Sequence, residues 1–174
     1  MTRTVRISSL RLSVLTLAVV GVVAGSASSA QATPPGRPGP IAFQRFIDPQ
    51  DEDSTQIFTV ARPGAKPRQL TSGGTAVNAD YSADGERIVF ERRFGGRSPD
   101  SLFTMGSDGS SQTRLPTACS AAPTCLGDSA PAWSPDGNRL VFERAFEPIV
   151  KYTAAGLDLV TANADGSNEQ VILH

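Results

Sequence analysis

Short apolar runs bounded by charged residues set the rhythm of this chain. Ile88-Val89-Phe90 lies between Arg87 and Glu91-Arg92, and Leu140-Val141-Phe142 lies between Arg139 and Glu143-Arg144. Runs of this kind read as short buried β-strands. Each is preceded by an aromatic residue and a turn: Tyr81-Ser82-Ala83-Asp84-Gly85 in one case, Trp133-Ser134-Pro135-Asp136-Gly137 in the other. Ser and Pro suit the first two turn positions, and Gly takes the positive φ that closes the hairpin. From the aromatic to the final Arg, eight of twelve positions are identical at an offset of 52 residues. That is an internal repeat, and it governs the reading of the rest.

Each copy has a second half. Leu102-Phe103-Thr104-Met105 and Leu159-Val160-Thr161-Ala162 predict a third strand, and Asp108-Gly109 and Asp165-Gly166 turn the chain into a fourth. That strand ends near Leu115 in one copy and near Ile172 in the other. A looser third copy begins at Ile41-Ala42-Phe43-Gln44-Arg45, without a leading strand or turn. It continues through Ile57-Phe58-Thr59, and Pro63-Gly64 stands where the others have Asp-Gly. β-branched and aromatic residues recur in all these segments, as strands favour. Four short antiparallel strands at this period describe a β-propeller blade. The expected fold is therefore all-β: a partial propeller of about three blades, over 41–75, 76–127 and 128–174, the first lacking its first strand. A single eleven-stranded sandwich is the rival. It does not require one turn and one aromatic to recur at a fixed interval.

The N-terminus reads differently. Arg3, Arg6 and Arg11 precede an apolar run over 14–23 and a small-residue stretch ending Ala30-Gln31-Ala32. This is the layout of a cleavable Sec-type signal peptide over 1–32. The run is too short for the roughly 20 residues of a spanning helix, so no membrane span is expected after its removal. Residues 33–40, rich in Pro and Gly, read as a linker. Without the three leader arginines, thirteen basic residues face seventeen acidic ones, a net charge of about −4. That argues against nucleic acid as a partner, which wants a concentrated basic face. In an exported chain the close pair Cys119 and Cys125 suggests a structural disulfide. The alternative, a redox pair, lacks the C-x-x-C spacing.

Catalytic chemistry is sparse. The single histidine is His174, the last residue, and there is no G-x-S-x-G elbow and no His/Cys cluster for zinc. No catalytic residue, metal or cofactor is expected. Asp48, Asp51, Glu52 and Asp53 match no calcium-loop spacing and read as a solvated loop. Arg45, Arg92 and Arg144 are equivalent in the three copies, and Gln44, Glu91 and Glu143 precede them. At one level of a ring they could face a partner or make blade-to-blade ion pairs, the preferred reading. Specificity is expected in the variable loops 46–56, 94–101 and 146–158, the last carrying Lys151 and Tyr152, and in the cysteine loop. Arg45, Arg92, Arg144, Lys151 and Tyr152 are the candidate partner-binding residues.

The unit Trp133-Ser134-Pro135-Asp136-Gly137, followed by Leu140-Val141-Phe142, Leu159-Val160-Thr161 and Asp165-Gly166, resembles the TolB-type propeller repeat. The likeness runs from Ile41 to the C-terminus. The second copy departs from it at Tyr81 and Ala83, and the first lacks the leading turn. The resemblance implies a secreted or periplasmic bacterial propeller acting as a non-catalytic interaction scaffold with protein partners of the cell envelope. TolB itself works between a translocation system and a peptidoglycan-associated lipoprotein. Related propellers form the gating domain of prolyl-oligopeptidase-like enzymes, so the alternative is the propeller segment of such a hydrolase. With three blades, the chain is expected to be the N-terminal portion of a longer propeller. Its rival is a short protein that closes a ring by pairing with a second copy.

Overall fold

Each apolar run becomes the second strand of a meander. The computed structural model describes residues 39–95, 98–121, 124–146 and 156–174. The first sheet contains β1 (Ile41–Phe46), β2 (Thr55–Val60) and β3 (Arg68–Gln69). The second contains β4 (Thr75–Tyr81), β5 (Arg87–Arg93), β6 (Ser101–Gly106) and β7 (Thr113–Arg114). The third contains β8 (Cys125–Trp133), β9 (Arg139–Phe146), β10 (Gly156–Asn163) and β11 (Gln170–Leu173). Every sheet is antiparallel with its strands in chain order. The only helices among the described residues are two single 3₁₀ turns, Glu52–Ser54 and Ala118–Ala121. The architecture is a partial β-propeller, and β1, the counterpart of β5 and β9, has no strand equivalent to β4 or β8 beside it among the described residues.

The run Ile88-Val89-Phe90 is continuous because β5 is covered on both faces. Successive side chains of a strand point to opposite sides. Ile88 and Phe90 pack with Ile57, Leu70 and Met105 against the first sheet. Val89 packs with Leu102, Trp133, Leu140 and Phe142 against the third. Leu115 closes that second core, and Leu70 occupies the equivalent place in the first. Tyr81 and Trp133 each face back toward the preceding sheet. The Tyr81 hydroxyl lies 3.0 Å from Thr59 Oγ1, and the Arg87 guanidinium stacks 4.4 Å over the Trp133 ring.

Both first strands carry a bulge, at Val77/Asp80 and at Ser129/Ala132. Within each bulge one non-glycine residue turns left-handed: Asn78 at φ 52° and Ala130 at φ 48°. The N–H groups so freed are taken by the preceding sheet. Asn78 N donates to Gln44 Oε1 at 3.1 Å, and Ala130 N donates to Glu91 Oε2 at 3.2 Å. Gln44 and Glu91 are equivalent positions, so one clamp joins the first sheet to the second and the second to the third.

The turns hold themselves. Ser82 Oγ donates to Asp84 and accepts from Arg87 N, while Asp84 also accepts from Glu86 N. Ser134, Asp136 and Asn138 repeat the arrangement. Gly85 and Gly137 supply the positive φ, 73° and 69°. The same chemistry recurs at Asp108 and Asp165. Serine hydrogen bonds first, then backbone N–H groups, hold all four carboxyls below their ordinary value of 3.8. A carboxyl depressed in the folded state stabilises it above the unfolded pKa, and that contribution is lost as pH falls through the folded value. Unfolding titrations should therefore show stability falling as pH drops below about 4. The Asp84→Asn/Asp136→Asn variant should lose less over the same range. An identical slope for both proteins would refute the assignment.

Candidate protein-binding surface

The antiparallel order sorts the connections between two ends of the sheets. The Asp-Gly turns occupy one. The β1–β2 and β5–β6 loops and the connectors between sheets occupy the other, which we term the loop end. There Thr75 Oγ1 donates to Asp53 O, and Gln56 Nε2 donates to Gly74 O. Asp100 N donates to Leu126 O, and Asp128 N to Asp100 O. These bonds tie each loop to the connector beside it.

Large apolar side chains are left uncovered at the loop end. Phe46, Ile47, Phe94, Leu126 and Leu157 are each between 44% and 53% exposed. They come from all three sheets. Phe94 rests on Phe103 with ring centroids 6.0 Å apart. Leu126 adjoins Gly127, whose strand partner Ala145 in turn pairs with Leu157. A recess of about 280 Å³ opens between Ile47, Asp53, Gly73 and Gly74. Among these residues sits Arg93, its Nε 2.5 Å from Glu91 Oε1 and 3.6 Å from Asp100 Oδ2. The Glu91 hydrogen bond holds Arg93 above its ordinary value. Burial, and then the Glu91 charge, push the Asp100 carboxyl up, with Arg93 opposing. A raised carboxyl works in the opposite sense to the turn aspartates: its contribution is present at low pH and is lost as pH rises above the ordinary value.

The Asp-Gly end has recesses too, of about 380 and 370 Å³. One lies between Thr59, Tyr81 and Asp108 and the other between Thr104, Leu115 and Asp165. These are near-equivalent places in successive sheets, so the recesses follow from the repeat itself.

The three repeated arginines have three different settings. Arg144 is buried, its Nε 2.7 Å from Asp128 Oδ1 and its Nη1 2.7 Å from Glu169 Oε2. Burial alone would lower its pKa, but the bonds and charges of Asp128 and Glu169 outweigh this and hold it above the ordinary value. Arg92 donates to Gln112 Oε1 at 2.8 Å and lies over Phe90 and Phe103, and burial lowers its pKa. Gln112 and Glu169 occupy matching places, and each also reaches the preceding connector. Gln112 Nε2 donates to Leu70 O, and Glu169 Oε1 accepts from Ala118 N. The expected blade-to-blade ion pairs are thus replaced by a relay: arginine to Gln or Glu, then to the neighbouring backbone. Both carboxylates on Arg144 come from its own repeat, Asp128 in β8 and Glu169 just before β11. Arg45 has no sheet before it among the described residues, is exposed, and stacks 4.6 Å over Phe58. Lys151 and Tyr152 lie outside the described residues.

Cys119 and Cys125 are disulfide-bonded, joining the 3₁₀ turn to the start of β8. Asp128 approaches the two sulfurs, but bonded cysteines offer no thiolate to a metal. The double variant Cys119→Ser/Cys125→Ser should lose about 2 kcal/mol in denaturant unfolding, the loop-closure value for so short a ring. An unchanged midpoint would show the bond adds nothing. The acidic loop largely caps itself: Asp48 accepts from Gln50 N, and Asp51 from Asp53 N. No helix among the described residues is long and apolar enough to cross a membrane.

Glu91, Asp128, Asn78 and Gln112 carry much of this geometry and stood outside the candidate list. Aligning the copies through the third and fourth strands would have paired Gln112 with Glu169. Nothing in the composition marks Asp128 as buried.

No protein-family model matches the chain, and no curated protein matches it at a significant level. Solved structures do. A candidate TolB from Agrobacterium tumefaciens superposes with a TM-score of 0.59 at 21% identity, over 76% of this chain and 44% of its own. TolB from Acinetobacter baumannii superposes with a TM-score of 0.55 at 14% identity, over 78% of this chain and 30% of its own. The fold is that of a TolB-like β-propeller, and the chain spans less than half the length of either structure.

Proposed function

We propose that the chain is an exported, non-catalytic propeller module that binds a protein of the cell envelope through its loop end. One observation carries the reading: five half-exposed apolar side chains, from all three sheets, lie at one end, on strand ends and on loops tied to a rigid scaffold. Uncovered large apolar side chains concentrated at one end of a fold are a mark of interaction sites, and loops on a fixed scaffold are where binding is placed. Arg93 offers a charged anchor beside Phe94, a pairing enriched in interfaces. Export is supported by the leader pattern over 1–32 and by the disulfide, which suits an oxidising compartment. The likeness to TolB structures favours a binding role over chemistry.

Site-specific photo-crosslinking in the envelope tests this. A crosslinker at Phe94 or Leu126 should give one discrete protein adduct, and one at Ala83 or Pro135 on the turn end should give none. Equal adducts from both ends, or none from the loop end, would overturn the assignment.

A further inference from the structure

The recess between the first and second sheets at the Asp-Gly end has walls set by the repeat but charges that are its own. Arg68 and Lys66 line it, and their counterparts in the next repeat are Thr113 and Ser111. In the recess between the second and third sheets the cations are Arg87 and Arg114, and both are engaged elsewhere. Arg87 donates to Gly137 O at 3.0 Å and stacks on Trp133, and Arg114 donates to Ser101 Oγ at 2.8 Å. Pro40 stands in the place of Arg87 in the first recess, so no guanidinium covers Tyr81 there.

The first recess keeps donors to offer. Lys66 is exposed and has no hydrogen bond or ion pair among the described residues. Arg68 Nη1 donates to Asp108 O at 2.8 Å, and the remaining guanidinium donors have no partner among the described residues. The Asp108 carboxylate is turned to its own hairpin, where it accepts from Ser110 N at 2.9 Å. The Tyr81 hydroxyl and the buried Thr59 Oγ1 share one hydrogen bond, so one of their two protons is left for a third group. Two cations against the Asp108 carboxylate leave a surplus of one positive charge. We propose that this recess binds a small carboxylic acid, its carboxylate between Lys66 and Arg68 and its apolar body against Pro40, Ala61 and Tyr81. A carboxylate matches the surplus charge, and its two oxygens suit guanidinium and ammonium donors. The volume of about 380 Å³ is that of a small-molecule site.

Titration of the protein with benzoate, followed through backbone amide shifts, tests this. Benzoate should move the Ala61 and Ser107 signals saturably and leave Ala164, in the second recess, unmoved. Benzamide has the same shape without the charge and should move none of them. Lys66→Gln should weaken benzoate binding about tenfold, the strength of one hydrogen bond to a charged group. Tyr81→Phe should weaken it about threefold, as for a neutral hydrogen bond. Arg62→Gln removes an exposed cation outside the recess and should leave binding as it was. The proposal fails if benzoate moves neither Ala61 nor Ser107, or if benzamide moves them equally. It fails if Arg62→Gln weakens binding as much as Lys66→Gln, since the attraction would then be diffuse. Inorganic phosphate binding as tightly as benzoate would also overturn it, because the apolar wall would contribute nothing.

Discussion

Arg144→Ala is expected to lower the unfolding free energy by about 3–5 kcal/mol, the cost of leaving a buried charge without its partner. Asp128 is wholly buried and bonded by both Arg144 Nε and Nη2, at 2.7 and 3.1 Å. Truncation strands that carboxylate and frees Glu169, which also holds Ala118 N. The melting temperature should fall by roughly 10 °C or more. A companion variant separates charge from packing. Arg144→Met with Asp128→Leu removes both charges and should recover most of the loss, because a buried pair replaced by apolar groups is often neutral. If Arg144→Ala melts like the parent, the pair contributes nothing and the residue becomes available for another role.

Phe90→Ala should cost about 3–5 kcal/mol, as should Phe142→Ala. Both rings are essentially inaccessible, 0% and 1% exposed, each between two sheets. Phe43 is their counterpart in β1 but has no sheet before it among the described residues. It is half-buried and stacks on Phe58 with centroids 5.8 Å apart. Phe43→Ala should therefore cost about 1–2 kcal/mol, a partial burial term without an enclosed cavity. The comparison reads the stacking order of the sheets directly from thermodynamics. Three equal losses in urea unfolding would mean that the packing does not follow that order.

The strands and turns were legible because their chemistry is local. An apolar triplet between charges, an aromatic before Ser-x-Asp-Gly, and the glycine of each Asp-Gly turn each point to one conformation. What joins the sheets was much less legible. The bulges at Asn78 and Ala130 place ordinary residues in left-handed conformations, and no glycine announces them. The repeated arginines were visible as equivalent positions, yet equivalence does not state whether a neighbouring sheet exists. Arg45, Arg92 and Arg144 therefore run from exposed to buried along one repeat. The loop end was foreseen only as a set of variable loops. Its apolar character depends on which of Phe46, Phe94 and Leu126 the packing leaves uncovered, and their neighbours Phe43, Phe90 and Cys125 are apolar too.

That loop end is the centre of the functional account. Its most direct test is the affinity of the protein crosslinked at Phe94 for the Phe46→Ser/Phe94→Ser/Leu126→Ser variant, measured alongside melting. Affinity should fall about thirtyfold or more, since central apolar anchors are each worth about 2 kcal/mol, with melting close to that of the parent. An unchanged affinity, or an equal loss when Ala83 and Pro135 on the turn end are replaced instead, would contradict it.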